Sequence, residues 1–125
     1  MKRIISTSAA PAAVGPYSQG VEASGATLYV SGQLPIDPAD GTMPDTVEQQ
    51  TEQALRNVEA ILREAGYSFS DVVKSVVLIA YMKYFAAMNS VYARFYAKDM
   101  PARVCYEVGR LPMGARVEIE TIAVK

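Results

Sequence analysis

Pro101-Ala102-Arg103-Val104-Cys105-Tyr106-Glu107-Val108, then a Gly/Pro turn, then Arg116 to Val124, is the stretch on which the fold turns. It reads as two adjacent strands that set an arginine, the sole cysteine and several glutamates on an otherwise apolar sheet. Burying a charge costs several kcal/mol (roughly) unless it is paired or meets a ligand. Charge on such a sheet is therefore a reason to look for a site.

Working outward, Val72 to Ala80 is the next strand, with Val72-Val73-Lys74-Ser75-Val76-Val77-Leu78-Ile79 rich in β-branched residues and apolar on both sides toward its end. Such a run predicts burial on two faces, one under helices and one against something else, which in so small a domain is expected to be a second subunit. Tyr84 to Lys98 is expected as a helix with Phe85, Met88, Tyr92 and Phe95 facing inward, ended by Pro101. Before it, Ala54, Leu55, Val58, Ile61, Leu62 and Ala65 recur at helical spacing. Asp45 or Thr46 can cap that helix, with Glu48 or Gln49 completing a capping box and Gly66 supplying the stop.

Further toward the N-terminus, Leu34 to Pro44 carries three prolines and Asp40-Gly41 and reads as an ordered loop. Thr27 to Ser31 is a strand with Leu28 and Val30 on one face and Thr27, Tyr29 and Ser31 on the other. Ser24-Gly25 signals a hairpin back to a strand near Gln19 to Ala23, and Ile4-Ile5 suggests a short edge strand. The order strand, strand, strand, helix, strand, helix, strand, strand predicts an α+β domain with a mixed sheet and two helices packed on one face. The other face is left uncovered, which points to association in a closed ring of a few copies.

Length and composition narrow the function. At 125 residues, half of them hydrophobic, the chain suits one globular domain, 1–125. A net charge of -1 gives no global electrostatic case for nucleic acid or an anionic membrane. With no histidine, a Ser-His-Asp triad, a Cys-His dyad and an imidazole zinc site are all excluded. One cysteine forms no intrachain disulfide, and the start Met1 to Ser8 lacks an apolar segment, so a cytoplasmic setting is expected. The longest apolar run, Val76 to Met82, falls far short of the ~20 residues a membrane helix needs.

Gly15-Pro16-Tyr17-Ser18-Gln19, Ser31-Gly32-Gln33, Asn89-Ser90-Val91-Tyr92, Pro101 to Cys105 and Val117-Glu118-Ile119-Glu120 resemble the signature segments of the reactive intermediate deaminase family, RidA subgroup. The match runs in order from about Ile4 to the C-terminus. The resemblance implies a fold similar to bacterial chorismate mutase, and a homotrimer with its sheets facing the interior and its sites in clefts between subunits. It also implies hydrolysis of 2-imino acids such as 2-iminobutanoate and 2-iminopropanoate to 2-keto acids and ammonia, with no cofactor and no metal.

The residues suit that chemistry. A 2-imino acid offers a carboxylate and an electrophilic carbon, and Arg103 can give the carboxylate two parallel N–H bonds that a lysine cannot copy. Its alternative role is a surface or interface ion pair with a glutamate. The resemblance places Glu118 as the group orienting or deprotonating the water, since a shielded carboxylate can exchange protons near neutrality. Glu120 shares its face, and the sequence leaves open both the choice between them and the register to the Arg103 strand.

Tyr17, after a rigid Gly-Pro, can present its phenol to a ligand or pack at an interface. Ser31 and Gly32 match a ligand-contacting segment, with a strand-end turn as the plainer reading of Gly32. Cys105 lacks an activating histidine and reads as inert packing, and the resemblance implies that this position contributes through its backbone rather than as a nucleophile. Asn89 is expected to cap or brace a loop beside the site. Two rivals remain: an endoribonuclease or translation inhibitor, disfavoured because no Arg/Lys cluster interleaves with aromatics along the sequence, and a non-catalytic trimer that binds small carboxylates. The linker Ala97-Lys98-Asp99-Met100 is short, and Tyr81-Met82-Lys83-Tyr84 replaces a more acidic connection that many family members have.

Overall fold

The computed structural model describes residues 1–125. Strands β1 (Lys2–Ile5) and β2 (Gly20–Ala23) form a small antiparallel sheet. The main sheet uses β3 (Thr27–Gln33), β4 (Val72–Ile79), β5 (Ala102–Glu107) and β6 (Val117–Val124) in the spatial order β3-β6-β4-β5. Pairing of β4 with β5 is parallel and the other two pairings are antiparallel, so the sheet is mixed. The last two strands of the chain are therefore not neighbours, as the sequence suggested; β4 lies between them. Sequence proximity favours pairing, but the chain between β5 and β6 crosses the end of β4, where the Ala80 N–H donates to the Arg116 carbonyl at 3.0 Å.

Helices α1 (Val47–Glu64) and α2 (Phe85–Phe95) pack against each other and on one sheet face. α1 begins where Thr46 accepts the Gln49 N–H at 3.1 Å, a cap that contributes about 1 kcal/mol. It stops at Gly66, whose φ of 81° is the left-handed conformation that disfavours other residues. Ala54, Leu55, Val58 and Leu62 form its buried stripe, while Ala65 at its end is exposed. These meet Met88, Tyr92 and Tyr96 from the second helical segment, and Val30, Val77, Ile79, Val117, Ile119 and Ala123 from the strands, in one continuous core.

α2 ends at Phe95, three residues earlier than the sequence predicts. The following residue, Tyr96, turns its ring into the core, 4.6 Å from Tyr92, and Asp99 adopts φ 47° before Pro101. Burying that ring outweighs a further turn of helix. The opposite sheet face carries Val76, Leu78, Val104, Tyr106 and Ile122 with no cover from this chain. No helix is long and apolar enough to cross a membrane.

Candidate active site

Arg103, the second residue of β5, lies on the helix-covered face of the sheet, beside Ser75 of β4. Its Nη1 donates to Asn89 Oδ1 on α2 at 2.7 Å, so Asn89 braces the arginine itself rather than a loop. Three ring faces surround the guanidinium, with centroids at 4.9 Å for Tyr92, 5.7 Å for Tyr17 and 5.8 Å for Phe85. Such cation–π contacts contribute about 0.5–2 kcal/mol each and fix the plane of the fork. Arg103 takes part in none of the five ion pairs of the chain, so no carboxylate of its own chain occupies it. A charge held in place and left without a counterion suits an anionic ligand.

Tyr17 reaches the arginine from the segment between β1 and β2. The Tyr17 N–H donates to the Gly15 carbonyl at 2.8 Å, and the Ser18 N–H donates to the Pro101 carbonyl at 3.1 Å, fastening this turn to the start of β5. Gln19 holds the rest of the loop, accepting the Thr7 N–H at 2.6 Å and donating to the Pro11 carbonyl at 2.7 Å. Cys105 follows Arg103 on the same face, half-buried against the core. Burial pushes its thiol up, only partly offset by the Arg103 charge, so the chain provides no activated thiolate. No group of three His, Cys, Asp or Glu side chains is placed to hold a metal ion.

Glu118 and Glu120 lie elsewhere. In the register of β6 with β4, Glu118 stands opposite Leu78 and Glu120 opposite Val76, whereas Arg103 and Cys105 stand beside Ser75 and Val77. The glutamates are thus on the uncovered face and the arginine on the covered one. Glu118 is half-buried and Glu120 exposed. Between Val30 and Gln33 the β3–β6 register slips, and the irregularity brings Gly32 under the Glu118 side chain. A Cβ at Gly32 would sit 2.9 Å from Glu118 Cδ and closer still to Oε2, so any other residue there must push the carboxylate from its place. Ser31 and Gly32 line a shallow hollow of about 370 Å³ with Tyr29 and Glu120.

The expected site residues therefore form two groups. Tyr17, Asn89, Arg103 and Cys105 come together; Ser31, Gly32 and Glu118 come together; the two groups are on opposite faces of the sheet. Sequence reasoning treated Phe85 and Tyr92 as helix packing and missed them as walls around Arg103. Their spacing from Asn89, at i-4 and i+3 on one helix, is the signal that would have found them. Asn57 was also missed: it donates to the Leu34 and Ile36 carbonyls at 3.0 and 2.9 Å and fixes the loop that follows Gly32.

Known proteins resemble this chain along its whole length. A goat (Capra hircus) protein named 2-iminobutanoate/2-iminopropanoate deaminase is 50% identical, covering 100% of this chain and 91% of its own. A Salmonella typhimurium protein of the same name is 43% identical, covering 100% of this chain and 99% of its own. The solved structure of E. coli TdcF with bound serine is 41% identical over 98% of both chains, with a TM-score of 0.77. The family model described as Endoribonuclease L-PSP matches residues 7–125. With a family match over nearly all its residues and full-length relatives of this identity, the chain belongs to the endoribonuclease L-PSP family.

Proposed function

We propose that this protein hydrolyses reactive 2-imino acids, 2-iminobutanoate and 2-iminopropanoate, to the 2-keto acids and ammonia. The observation that carries the reading is the Arg103 guanidinium, fixed by Asn89 and three aromatic faces yet without an acidic partner. The names of the full-length relatives support the same reaction.

The substrate carboxylate takes the N–H groups that Asn89 leaves free on Arg103, which turns the neighbouring C=N carbon toward water. Glu118 accepts a proton as the water oxygen bonds to that carbon, and the same proton passes to the nitrogen. The hydroxyl proton of the resulting carbinolamine then passes through Glu118 to the amino nitrogen, the C–N bond breaks as the carbonyl forms, and ammonia leaves. Water supplies the new oxygen, so atoms balance with no oxidation and no cofactor. Ser31 and Gly32 shape the floor beside Glu118, and Tyr17 walls the carboxylate end.

Because Arg103 and Glu118 are on opposite sheet faces, a complete site needs Arg103 of one copy and Glu118 of another. The uncovered face bearing Val76, Leu78, Val104, Tyr106 and Glu118 supplies the surface for that contact, in a homotrimer with this face inward. The setting that fits is a reducing cytoplasm, in keeping with a single cysteine and no intrachain disulfide.

The test is a coupled assay with a threonine dehydratase, timing 2-ketobutyrate formation. Arg103→Ala is expected to lower kcat/KM by roughly 100-fold or more, the value of two charge-assisted hydrogen bonds, while the assembly persists. Normal turnover by that variant would refute the assignment.

A further inference from the structure

Tyr81, Lys83 and Tyr84 belong to the turn between β4 and α2, and Arg110 and Arg116 to the connection from β5 to β6. They are 26 or more positions apart along the chain from Lys83 or Tyr84 to Arg110, yet the fold brings them to one end of the sheet. There Ala80, Tyr81, Tyr84 and the segment from Gly109 to Arg116 line a hollow of about 870 Å³, within the size range of small-molecule sites. It shares no lining residue with either group described above.

Its chemistry is of one sign. The Arg116 guanidinium sits 5.6 Å from the Tyr84 ring, and Lys83 Nζ lies 5.1 Å from the Tyr81 ring and 5.7 Å from that of Tyr84. None of Lys83, Arg110 and Arg116 enters an ion pair, and no carboxylate lines the hollow. Glu107, at its edge, accepts the Met82 N–H at 2.8 Å. Exposed cations gathered here without ion-pair partners give the hollow a positive potential that attracts an anion.

The walls also offer stacking surface. The Tyr81 and Tyr84 rings meet edge to face at 85°, forming an aromatic corner, and Tyr81 is 56% exposed. The frame behind them is fixed: Leu111 and Ala115 are buried, and Gln50, itself only 3% exposed, accepts the Arg116 N–H at 2.8 Å while donating to the Pro44 carbonyl. A rigid corner of two rings beside two arginines and a lysine matches a planar heterocycle carrying a phosphate.

We propose that this hollow, lined by Tyr81, Tyr84, Arg110 and Arg116 with Lys83 against its two rings, is a binding site for a nucleoside monophosphate, separate from the deaminase site. The ring stacks in the corner of Tyr81 and Tyr84, and the phosphate takes the guanidinium N–H groups of Arg110 and Arg116.

Calorimetric titration of the full-length assembly with AMP, ribose 5-phosphate and inorganic phosphate tests this. AMP is expected to bind about tenfold or more tightly than ribose 5-phosphate, the increment of one stacked base. Arg110→Gln with Arg116→Gln is expected to weaken AMP by about tenfold or more while imine hydrolysis stays within about twofold. Tyr81→Leu, which leaves every cation in place, should remove the preference for AMP over ribose 5-phosphate. Arg103→Ala should leave AMP binding intact. Equal affinity for AMP and phosphate, AMP binding unmoved by the arginine pair, or its loss in Arg103→Ala would each overturn the proposal. So would affinity that climbs with oligonucleotide length, which would assign the surface to a single-stranded RNA.

Discussion

Around Arg103 the chain supplies an amide oxygen, three aromatic faces and a turn fastened to the start of its strand; around Glu118 it supplies little beyond the bare backbone of Gly32. The covered face of the sheet can hold a charge in place because α2 lies over it. The open face cannot, because nothing in the chain stands above it. In the proposed reading, one half of the site is preorganised by folding and the other waits for a second copy, so gripping the anion and activating the water would depend on different events.

That division can be broken by mixing. Arg103→Ala and Glu118→Gln should each be nearly inactive, the second because loss of a general base costs roughly 100- to 10,000-fold. Unfolding and co-refolding the two together is expected to restore activity to about a quarter of the sites, those with an intact arginine from one copy facing an intact glutamate from its neighbour. Mixtures that stay at the level of the parent variants would place both groups in one chain and overturn the composite site.

Gly32 sharpens the same comparison from the glutamate side. A methyl group there must push the Glu118 carboxylate away, so Gly32→Ala is expected to lower kcat by roughly tenfold or more, the cost of about 1 Å of misplacement, with KM little changed. On the arginine side the pattern reverses. Asn89→Ala removes one hydrogen bond that aims the guanidinium and is expected to raise KM by about tenfold, with a smaller fall in kcat. Steady-state kinetics of both variants in the coupled assay would show the split, and identical patterns would argue against two separately built halves.

Much of this was legible before the fold. The alternation in Val117 to Val124 and the apolar stripe of α1 gave the order of elements, since periodicity is a local property. The family resemblance of the chain's motifs singled out Arg103 and Glu118 as candidates. What the sequence could not carry was the relation between strands: periodicity says that Glu118 and Glu120 share a face, but only register with β4 sets them opposite to Arg103. The insertion of β4 between β5 and β6 escaped for the same reason. So did the basic and aromatic hollow, because a scan along the chain cannot see Lys83 meet Arg110 and Arg116.

Cys105 offers the smallest effect and the finest test of what the arginine side contributes. It stands two residues from Arg103 on the same face, and a guanidinium so near favours the thiolate. Burial opposes it and prevails, so the thiol pKa lies above its ordinary value. At any pH below that value the thiolate fraction is smaller than that of a free cysteine, and alkylation by iodoacetamide should be correspondingly slower, rising only in alkaline solution. Cys105→Ser is expected to keep kcat/KM within about threefold, as befits a side chain that packs rather than attacks. Removing the Arg103 charge takes away the one effect that lowers the pKa, so Arg103→Ala should slow alkylation further at a given pH. If that variant instead speeds it, the arginine shields the thiol sterically more than it activates it, and the aromatic enclosure, not the charge, is what governs access to this half of the site.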